Sequence, residues 1–435
     1  MNRRMLFVSV FACLVATTIG PSFADPAGYR TNRIDPRVGQ VPADLQKRVF
    51  ADPDRQLGPL VGALTSGARD EFHKVKILHD WIAETIAYDV DSYFSGARAE
   101  TSVSATLRRR KSVCYGYAAL FAQMCSLAEI PCQKISGFGR GYGFAAGRAG
   151  DPSQTNHAWN AVQIGGRWHL VDVTWDAGHV EERAFQKKYA STYLFMPPQE
   201  FIYTHLPEDP DRQLLDAPLS REQFADLPYL LGRFFDAGLR LATRLRRVTA
   251  AGESVQFAVV VPSDVELMAK LITPDGKEIE RRTLVQSDGG QCRVLVTFPG
   301  AGRHTVQLFS RRRGETGLLW MVASLDFTPS AGTVRTFPKT YVTLNKMHGY
   351  LESPLYVPLP TGRPVTFKVR LEGTGDVQLA IGDRPWLALG PVAGQQNTFQ
   401  LTTTIPPGQR VRLNAKPSAG ATSYATLIDF TPEEE

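Results

Sequence analysis

Three short blocks carry residue types that can do nucleophilic chemistry. They are Ser112-Val113-Cys114-Tyr115-Gly116-Tyr117-Ala118, Asn156-His157-Ala158-Trp159-Asn160 and Leu170-Val171-Asp172-Val173-Thr174-Trp175. A thiol, an imidazole and a carboxylate are the parts of an acyl-transfer site. A free cysteine is only a few per cent thiolate at neutral pH, and a helix N-terminus and a neighbouring imidazolium both favour the thiolate. Cys114 stands where a polar loop becomes an apolar helix, so it meets the first condition. His157 on an adjacent strand meets the second, and Asp172 would hold the imidazole tautomer and stabilise the imidazolium. The sulfur would then attack a carbonyl, form a thioester and release it to water or to an amine. The bland alternative for Cys114 is a buried structural thiol. The polar Lys111-Ser112 entry, the small residues around the cysteine and the hairpin that follows favour the catalytic constellation. The Cys114 backbone N–H is a candidate oxyanion donor, and no upstream glutamine is identified by its spacing as a partner donor. Tyr115, Trp159 and Trp175 are candidates for the substrate groove, against the alternative that tryptophans of this kind form core or walls.

The elements that must position these residues follow from periodicity. Phe72, Val75, Ile77, Leu78, Trp81, Ile82 and Ile86 recur at three- and four-residue steps, which predicts a helix from Asp70, a plausible cap. Residues 87–91 then read as a solvated turn. Thr101 to Arg110 reads as a short helix, and Cys114 opens a helix to about Ala128 that is apolar nearly all round and therefore buried. Residues 133–136 are strand-like. Gly137 to Gly150 is a glycine-rich loop beside the site, with no strand-turn-helix unit to make it a nucleotide motif. Ala158 to Thr174 is a hairpin about Gly165-Gly166, a dipeptide suited to a type I′ turn. A two-residue loop there pairs Ile164 with Arg167 and, further down, Trp159 with Asp172 and His157 with Thr174. His157, Trp159, Leu170 and Asp172 then share a face, with Asp172 diagonal to His157 and roughly 7 Å away at the backbone. His169 points to the opposite face. Asp176 has the right parity but lies beyond the pairing, which makes it the second choice.

At 435 residues the chain has room for several domains, and 43% hydrophobic with 21% charged residues is a globular composition. Arg3 and Arg4, the apolar run from Met5 to Ile19 and Ser22-Phe23-Ala24 form a secretory signal pattern over 1–24, with an uncleaved anchor as the alternative. No later run reaches the roughly 18 apolar residues of a span. Losing Arg3 and Arg4 lowers the formal net charge from +6 to +4. Arg108-Arg109-Arg110-Lys111 and Arg311-Arg312-Arg313 read as solvated loop or strand ends, because a nucleic-acid surface needs a broader patch interleaved with aromatics. Beyond the signal, Cys114, Cys125, Cys132 and Cys292 remain, too few for a disulfide scaffold. Cys125 and Cys132 read equally as a pair or as buried thiols. The absence of CxxC, HExxH and EF-hand patterns leads us to expect no metal and no cofactor.

Residues 25–69 are polar and Pro-rich and read as an extended lead-in, with a short helix near Pro42 to Phe50. The catalytic domain is expected over 70–243, with the aromatic-rich 181–230 closing over its core. After about Arg246 short alternating strands separated by Gly/Pro turns predict β-sandwiches. They carry an internal repeat. Gly252-Glu253-Ser254-Val255-Gln256-Phe257-Ala258-Val259 answers Gly362-Arg363-Pro364-Val365-Thr366-Phe367-Lys368-Val369. Leu325-Asp326-Phe327-Thr328-Pro329 answers Ile428-Asp429-Phe430-Thr431-Pro432. Two homologous sandwiches are therefore expected, over 244–331 and 335–435, serving binding, spacing or oligomerisation.

With these residues in place, the central part resembles the transglutaminase-like superfamily of papain-fold enzymes. The likeness rests on Val113-Cys114-Tyr115-Gly116-Tyr117-Ala118, His157-Ala158-Trp159-Asn160 and Leu170-Val171-Asp172-Val173-Thr174-Trp175, in the family's Cys, His, Asp order. The continuation Phe195-Met196-Pro197-Pro198-Gln199-Glu200-Phe201-Ile202-Tyr203-Thr204-His205-Leu206-Pro207 is similar to the kyphoscoliosis peptidase branch, in which β-rich domains also follow the core. The resemblance implies an α+β papain/transglutaminase-like core and Cys114 as nucleophile, His157 as base and Asp172 as orienting acid. It implies peptide hydrolysis or acyl transfer from glutamine to an amine, without separating them. The expected partner is a protein or peptide, or a cell-wall peptide, outside the cytoplasm. The rivals are a catalytically silent scaffold or adhesion protein and a cell-wall amidase.

Overall fold

The structure is a computed structural model and describes residues 25–96, 99–141, 144, 151, 153–418 and 420–430. The signal pattern over 1–24 and most of the glycine-rich loop lie outside the described residues.

The N-terminal segment departs from the expected extended lead-in. Two single-turn helices are followed by α1 (Ala43–Ala51) and α2 (Pro53–Thr65). The reason is a helical stripe within a polar composition: Leu45 and Val49, then Leu57, Leu60, Val61 and Leu64, are buried in the same core as Trp81 and Phe121. Next comes α3 (Glu71–Thr85), capped by Asp70, whose carboxylate accepts from the His73 N–H. The expected solvated turn is instead a short strand, β1 (Ala87–Tyr88), and α4 (Val90–Ser95). Asp89, at its junction, is buried and paired with Arg109 at 2.7 Å. The basic run is therefore partly engaged, because that buried carboxylate needs a counter-charge. The chain continues through α5 (Val103–Arg109) and β2 (Lys111–Ser112). Parallel pairing of β1 with β2 sets Tyr88 opposite Ser112 and brings the cysteine loop against the end of α3.

Helix α6 (Cys114–Leu127) follows, with a nearly all-round apolar surface that is enclosed. It lies against strands β3 (Cys132–Gly139) and β4 (His157–Ile164), the latter forming a hairpin with β5 (Arg167–Val171). Beyond a five-residue helix α7 (Val173–Ala177) come β6 (Gly178–Glu181), β7 (Ala184–Lys187), β8 (Leu194–Met196) and β9 (His205–Pro207). The central antiparallel sheet runs in the order β8-β5-β4-β3-β9. Its hairpin has the expected register from Ile164 opposite Arg167 down to Asn160 opposite Val171. The pairings expected beyond, Trp159 with Asp172 and His157 with Thr174, do not form. Strand β5 ends at Val171, because the Asp172 carboxylate caps α7 and turns the chain out of the sheet.

Two sandwiches complete the molecule, each built of two sheets that are antiparallel apart from the parallel pairing of Val248–Ala251 with Trp320–Pro329 in the first, consistent with the repeat. Ser254–Val260 pairs with Gln291–Thr297 as Pro364–Arg370 pairs with Thr398–Thr404. His304–Arg312 lies between Val265–Ile272 and Trp320–Pro329 as Val411–Ala415 lies between Val377–Ile381 and Ala425–Asp429. The first sandwich starts earlier than 244. Tyr229–Leu230 and Arg240–Leu241 supply edge strands to its two sheets, so 229–241 belong to it in the packing. Two-residue strands carry too little alternation to be read from sequence. No helix among the described residues is long and apolar enough to cross a membrane.

Candidate active site

The first turn of α6 sets Cys114 at the mouth of the helix, 5% exposed, after Val113, which offers no side-chain cap. The leading amides of the helix are thus left to favour negative charge at this end. Close approach depends on Gly116, where a Cβ would sit 2.0 Å from Ser112 Oγ and 2.7 Å from Thr106 Oγ1. Asn160 on β4 fastens the helix to the sheet through Nδ2, which donates to the Ala118 carbonyl at 3.0 Å.

His157 opens β4 and is 6% exposed. Its Nε2 meets Asp172 Oδ2 at 2.7 Å, and the neighbouring Cys114 side chain adds to the ring's affinity for a proton. Gly139 on β3 makes room for the ring, since a Cβ there would lie 3.0 Å from His157 Cβ. Asn156 pins that glycine, its Oδ1 accepting from Gly139 N at 2.7 Å and its Nδ2 donating back to Gly139 O at 3.2 Å. Asp172 divides its two oxygens. Oδ1 accepts the backbone N–H groups of Thr174 at 2.9 Å and Trp175 at 3.3 Å, while Oδ2 faces the histidines. The structure thus brings Cys114, His157 and Asp172 together, with Asp172 acting from a helix cap and not from a strand.

Sequence reasoning missed a fourth member. His205 on β9 sets Nε2 3.1 Å from the same Asp172 Oδ2, and its Nδ1 pairs with Thr204 Oγ1 at 2.9 Å. It lies within rings: Phe201 at 4.0 Å, Trp175 at 4.3 Å and Trp159 at 5.0 Å between centroids. No local pattern signals it, because β9 reaches β3 only after some 65 intervening residues fold back, setting Gly139 opposite His205. The ligand atoms of His157, Asp172 and His205 lie within 4.8 Å of one another, near enough to share a metal ion. All three are already joined by ring-to-carboxylate hydrogen bonds, which is the arrangement of a proton relay.

The electrostatics separate the two histidines. Burial works against charge on His157, but the charge and hydrogen bond of Asp172, helped by the neighbouring Cys114, outweigh it and raise its pKa to about 10. Burial alone would raise Asp172; the charge and hydrogen bond of His157, then His205, hold it well below the ordinary carboxylate range. Burial dominates His205 and brings it down to about 4. At neutral pH the site holds an imidazolium, a carboxylate and a neutral imidazole that donates to it.

The other candidates separate. Trp175 stacks on His157 with centroids 5.1 Å apart and lines a cavity of about 480 Å³ that begins at His157. Trp159 does not reach that cavity. It is 1% exposed and packs in the core with Ile135 and Phe201, a consequence of facing inward from a central strand. Tyr115 is half-buried beside Lys134 and is not on the cavity wall. Tyr88 and Tyr93 line it instead, brought there by β1 and α4. Asp176, the second choice, serves another histidine: its Oδ2 meets His79 Nε2 at 3.1 Å. His169 packs against Phe72 and Phe195 on the far face. Cys125 is buried, and it and Cys132 are both free thiols.

Residues 59–173 match the family model described as the transglutaminase-like superfamily, and residues 221–327 match the KY-like, immunoglobulin-like domain. The chain carries a transglutaminase-like domain joined to a KY-like immunoglobulin-like domain, in agreement with the resemblance read from its motifs. Among curated proteins it is similar to kyphoscoliosis peptidase of Mus musculus, 30% identical over 264 residues that make up 60% of this chain and 39% of the relative. The Homo sapiens protein of that name is 31% identical over 59% of this chain and 38% of the relative. The Lim and transglutaminase domain protein ltd-1 of Caenorhabditis elegans is 30% identical over 41% of this chain and 26% of the relative. The matches to the kyphoscoliosis peptidases thus span about two fifths of those relatives' length.

Proposed function

We propose that the protein is an exported thiol enzyme that cleaves or transfers acyl groups of protein or peptide amides. The observation that carries this reading is the grouping of Cys114 at a helix mouth with the His157 ring, itself hydrogen-bonded to the Asp172 carboxylate at 2.7 Å. Export rests on the apolar, Arg-led pattern over 1–24.

In this reading the proton that makes the His157 ring an imidazolium is the one Cys114 has given up; the Cys114 sulfur attacks the amide carbonyl carbon, and the carbonyl π pair moves to oxygen. The Cys114 N–H and neighbouring amides of α6 face the developing charge. As the tetrahedral intermediate collapses, the C–N bond breaks and the proton on the His157 ring goes to the leaving amine. A thioester remains. Water or a second amine then attacks it while His157, neutral after its donation, takes the proton; the C–S bond breaks, the acyl group leaves on the new oxygen or nitrogen, and the Cys114 sulfur is released. Asp172 keeps the ring oriented throughout, and His205 holds Asp172.

The test is a panel with purified protein: casein for proteolysis, casein plus a labelled amine for transamidation, and peptidoglycan for wall-peptide cleavage. Turnover in one arm, abolished by Cys114→Ala, is the expected result. No turnover in any arm, together with no Cys114 labelling by electrophilic probes, would leave a catalytically silent scaffold.

A further inference from the structure

The cavity that begins at His157 has an unusual charge balance. Arg140, Lys188 and Arg233 line it, His157 adds an imidazolium, and Asp176 is the sole carboxylate among the described lining residues. Asp176 is fully buried and already satisfied by His79 and by the Tyr193 N–H at 3.0 Å, so it does not neutralise the others. Among the described residues Arg140, Lys188 and Arg233 make no ion pair with a carboxylate.

Arg140 is the deepest of the three, 2% exposed. Its terminal nitrogens donate to the carbonyls of Phe224, Tyr203 and Leu227, while its Nε is buried without a hydrogen-bond partner among the described residues. A guanidinium enclosed this far without a counter-ion is expensive. Burial and the nearby Arg247 charge lower its pKa to about 9, the direction expected of a cation that lacks its anion.

Lys188 and Arg233 stand at the outer end, on the face of Trp320 of the first sandwich, at 3.3 Å and 4.7 Å from the ring centroid. Met321 of the same strand also lines the cavity. The aromatic face holds two like charges side by side without neutralising either. The lysine and arginine pKa values are both lowered, by burial first, and the lysine also by its arginine neighbour. Positive charge concentrated in a concave, partly dry site attracts and orients an anion.

We propose that this cavity receives a carboxylate of the peptide substrate, bound by Lys188 and Arg233 over Trp320, in the field of Arg140. The inference rests on the acyl-transfer reading and adds the substrate's charge. It also gives the first sandwich a part in the substrate site, since Met321 lines the cavity and Trp320 backs Lys188 and Arg233. A side-chain carboxylate and a free C-terminal carboxylate satisfy the same chemistry.

The test uses the full chain with Cys114→Ala and fluorescein-labelled peptide libraries identical except for Glu, Gln or Lys at one scanned position. Each library is made as free acid and as amide, and binding is read by anisotropy. At least about tenfold tighter binding of Glu over Gln at some position is expected. The preference should fall below about twofold in Lys188→Met/Arg233→Gln and weaken on going from about 0.05 M to about 0.5 M salt. A preference for free acid over amide that the double variant abolishes supports the inference with the C-terminus as the source. No binding, equal binding of Glu and Gln with no acid-over-amide preference, or a preference unchanged in the double variant overturns it. Labelling of wild-type Cys114 by the same peptides bearing a vinyl sulfone keeps the two readings apart. Labelling without charge preference sinks the carboxylate site alone. Absence of labelling counts against the thiol enzyme, while anisotropy still decides the cavity.

Discussion

At the scale of single residues, Asp172 does two jobs with two oxygens, and the jobs can be separated. Asn can still accept the Thr174 and Trp175 N–H groups through its carbonyl oxygen, so the cap of α7 survives. Its amide then presents N–H to His157 Nε2, which forces the ring to accept there and puts the proton on Nδ1. Asp172→Asn should therefore lower amide turnover by about two to four orders of magnitude, while the unfolding free energy changes by no more than about 2 kcal/mol. Parallel kinetics and urea melts check this, and equal loss of both refutes it. His205 acts through Asp172 by donating one N–H to Oδ2 at 3.1 Å. His205→Leu should cost about tenfold in rate, as expected for one charge-assisted hydrogen bond, and His205→Gln should restore most of it. A merely structural histidine would show no such rescue and no change in the pH–rate profile.

At the scale of elements, α7 is fixed from beneath by buried charge. His79 on α3 lies between Asp80 Oδ1 at 2.9 Å and Asp176 Oδ2 at 3.1 Å, and Lys76 Nζ reaches Asp80 Oδ2 at 2.6 Å. The same Asp80 accepts from Tyr189 at 2.6 Å and from the Asp35 N–H at 2.8 Å, which ties the N-terminal segment into the network. Burial lowers the proton affinity of His79, but the two carboxylates outweigh it and bring its pKa up to about 9. The sign follows directly. Between the ordinary value near 6.5 and about 9 the folded protein holds a proton that the unfolded chain has lost. This contribution is complete below pH 6.5 and disappears as pH rises to about 9. The urea midpoint should fall over that window, and His79→Gln should flatten the fall. A wild-type midpoint that rises from pH 6.5 to 9 would contradict the account. His79→Ala, which strands two buried carboxylates, should cost about 3–5 kcal/mol.

At the scale of the whole molecule the two sandwiches differ in their bond to the core. The first is interleaved with it: Tyr229–Leu230 forms its edge strand, Met321 lines the cavity beside His157, and Lys188 lies over the Trp320 ring. The second attaches to the first through Gln286, which accepts from Leu351 N at 2.7 Å and donates to its carbonyl at 3.2 Å. An Arg370–Asp288 pair at 2.7 Å, an Arg281 Nε bond to the Phe337 carbonyl at 2.9 Å and a small cluster of Leu284, Leu295 and Phe337 also bridge the junction. Deleting 335–435 should leave Cys114 labelling by iodoacetamide within about twofold of the full chain, at the cost of an exposed apolar patch. Deleting 244–435 should abolish labelling selectivity and cooperative unfolding, because it removes sheet partners of 229–241. Equal behaviour of the two truncations would refute the distinction.

Local pattern was enough for what is local. The period of three and four from Phe72 to Ile86, the apolar run after Cys114 and the turn at Gly165-Gly166 determined α3, α6 and the β4–β5 register, since each depends on neighbours in the chain. The repeat after residue 246 determined two sandwiches, because equal strands in equal order bury equal faces. The sequence also put Cys114, His157 and Asp172 in one proposal. Tertiary structure alone decided the rest. It ended β5 at Val171 by making Asp172 a helix cap, where strand alternation had been extended through Thr174. It folded a polar N-terminal segment into α1 and α2, whose buried stripe needed a partner core to become visible. It carried His205 to the site and Met321 to the cavity wall from strands far away in the chain, and no spacing rule reaches contacts whose loop closure only the finished fold repays.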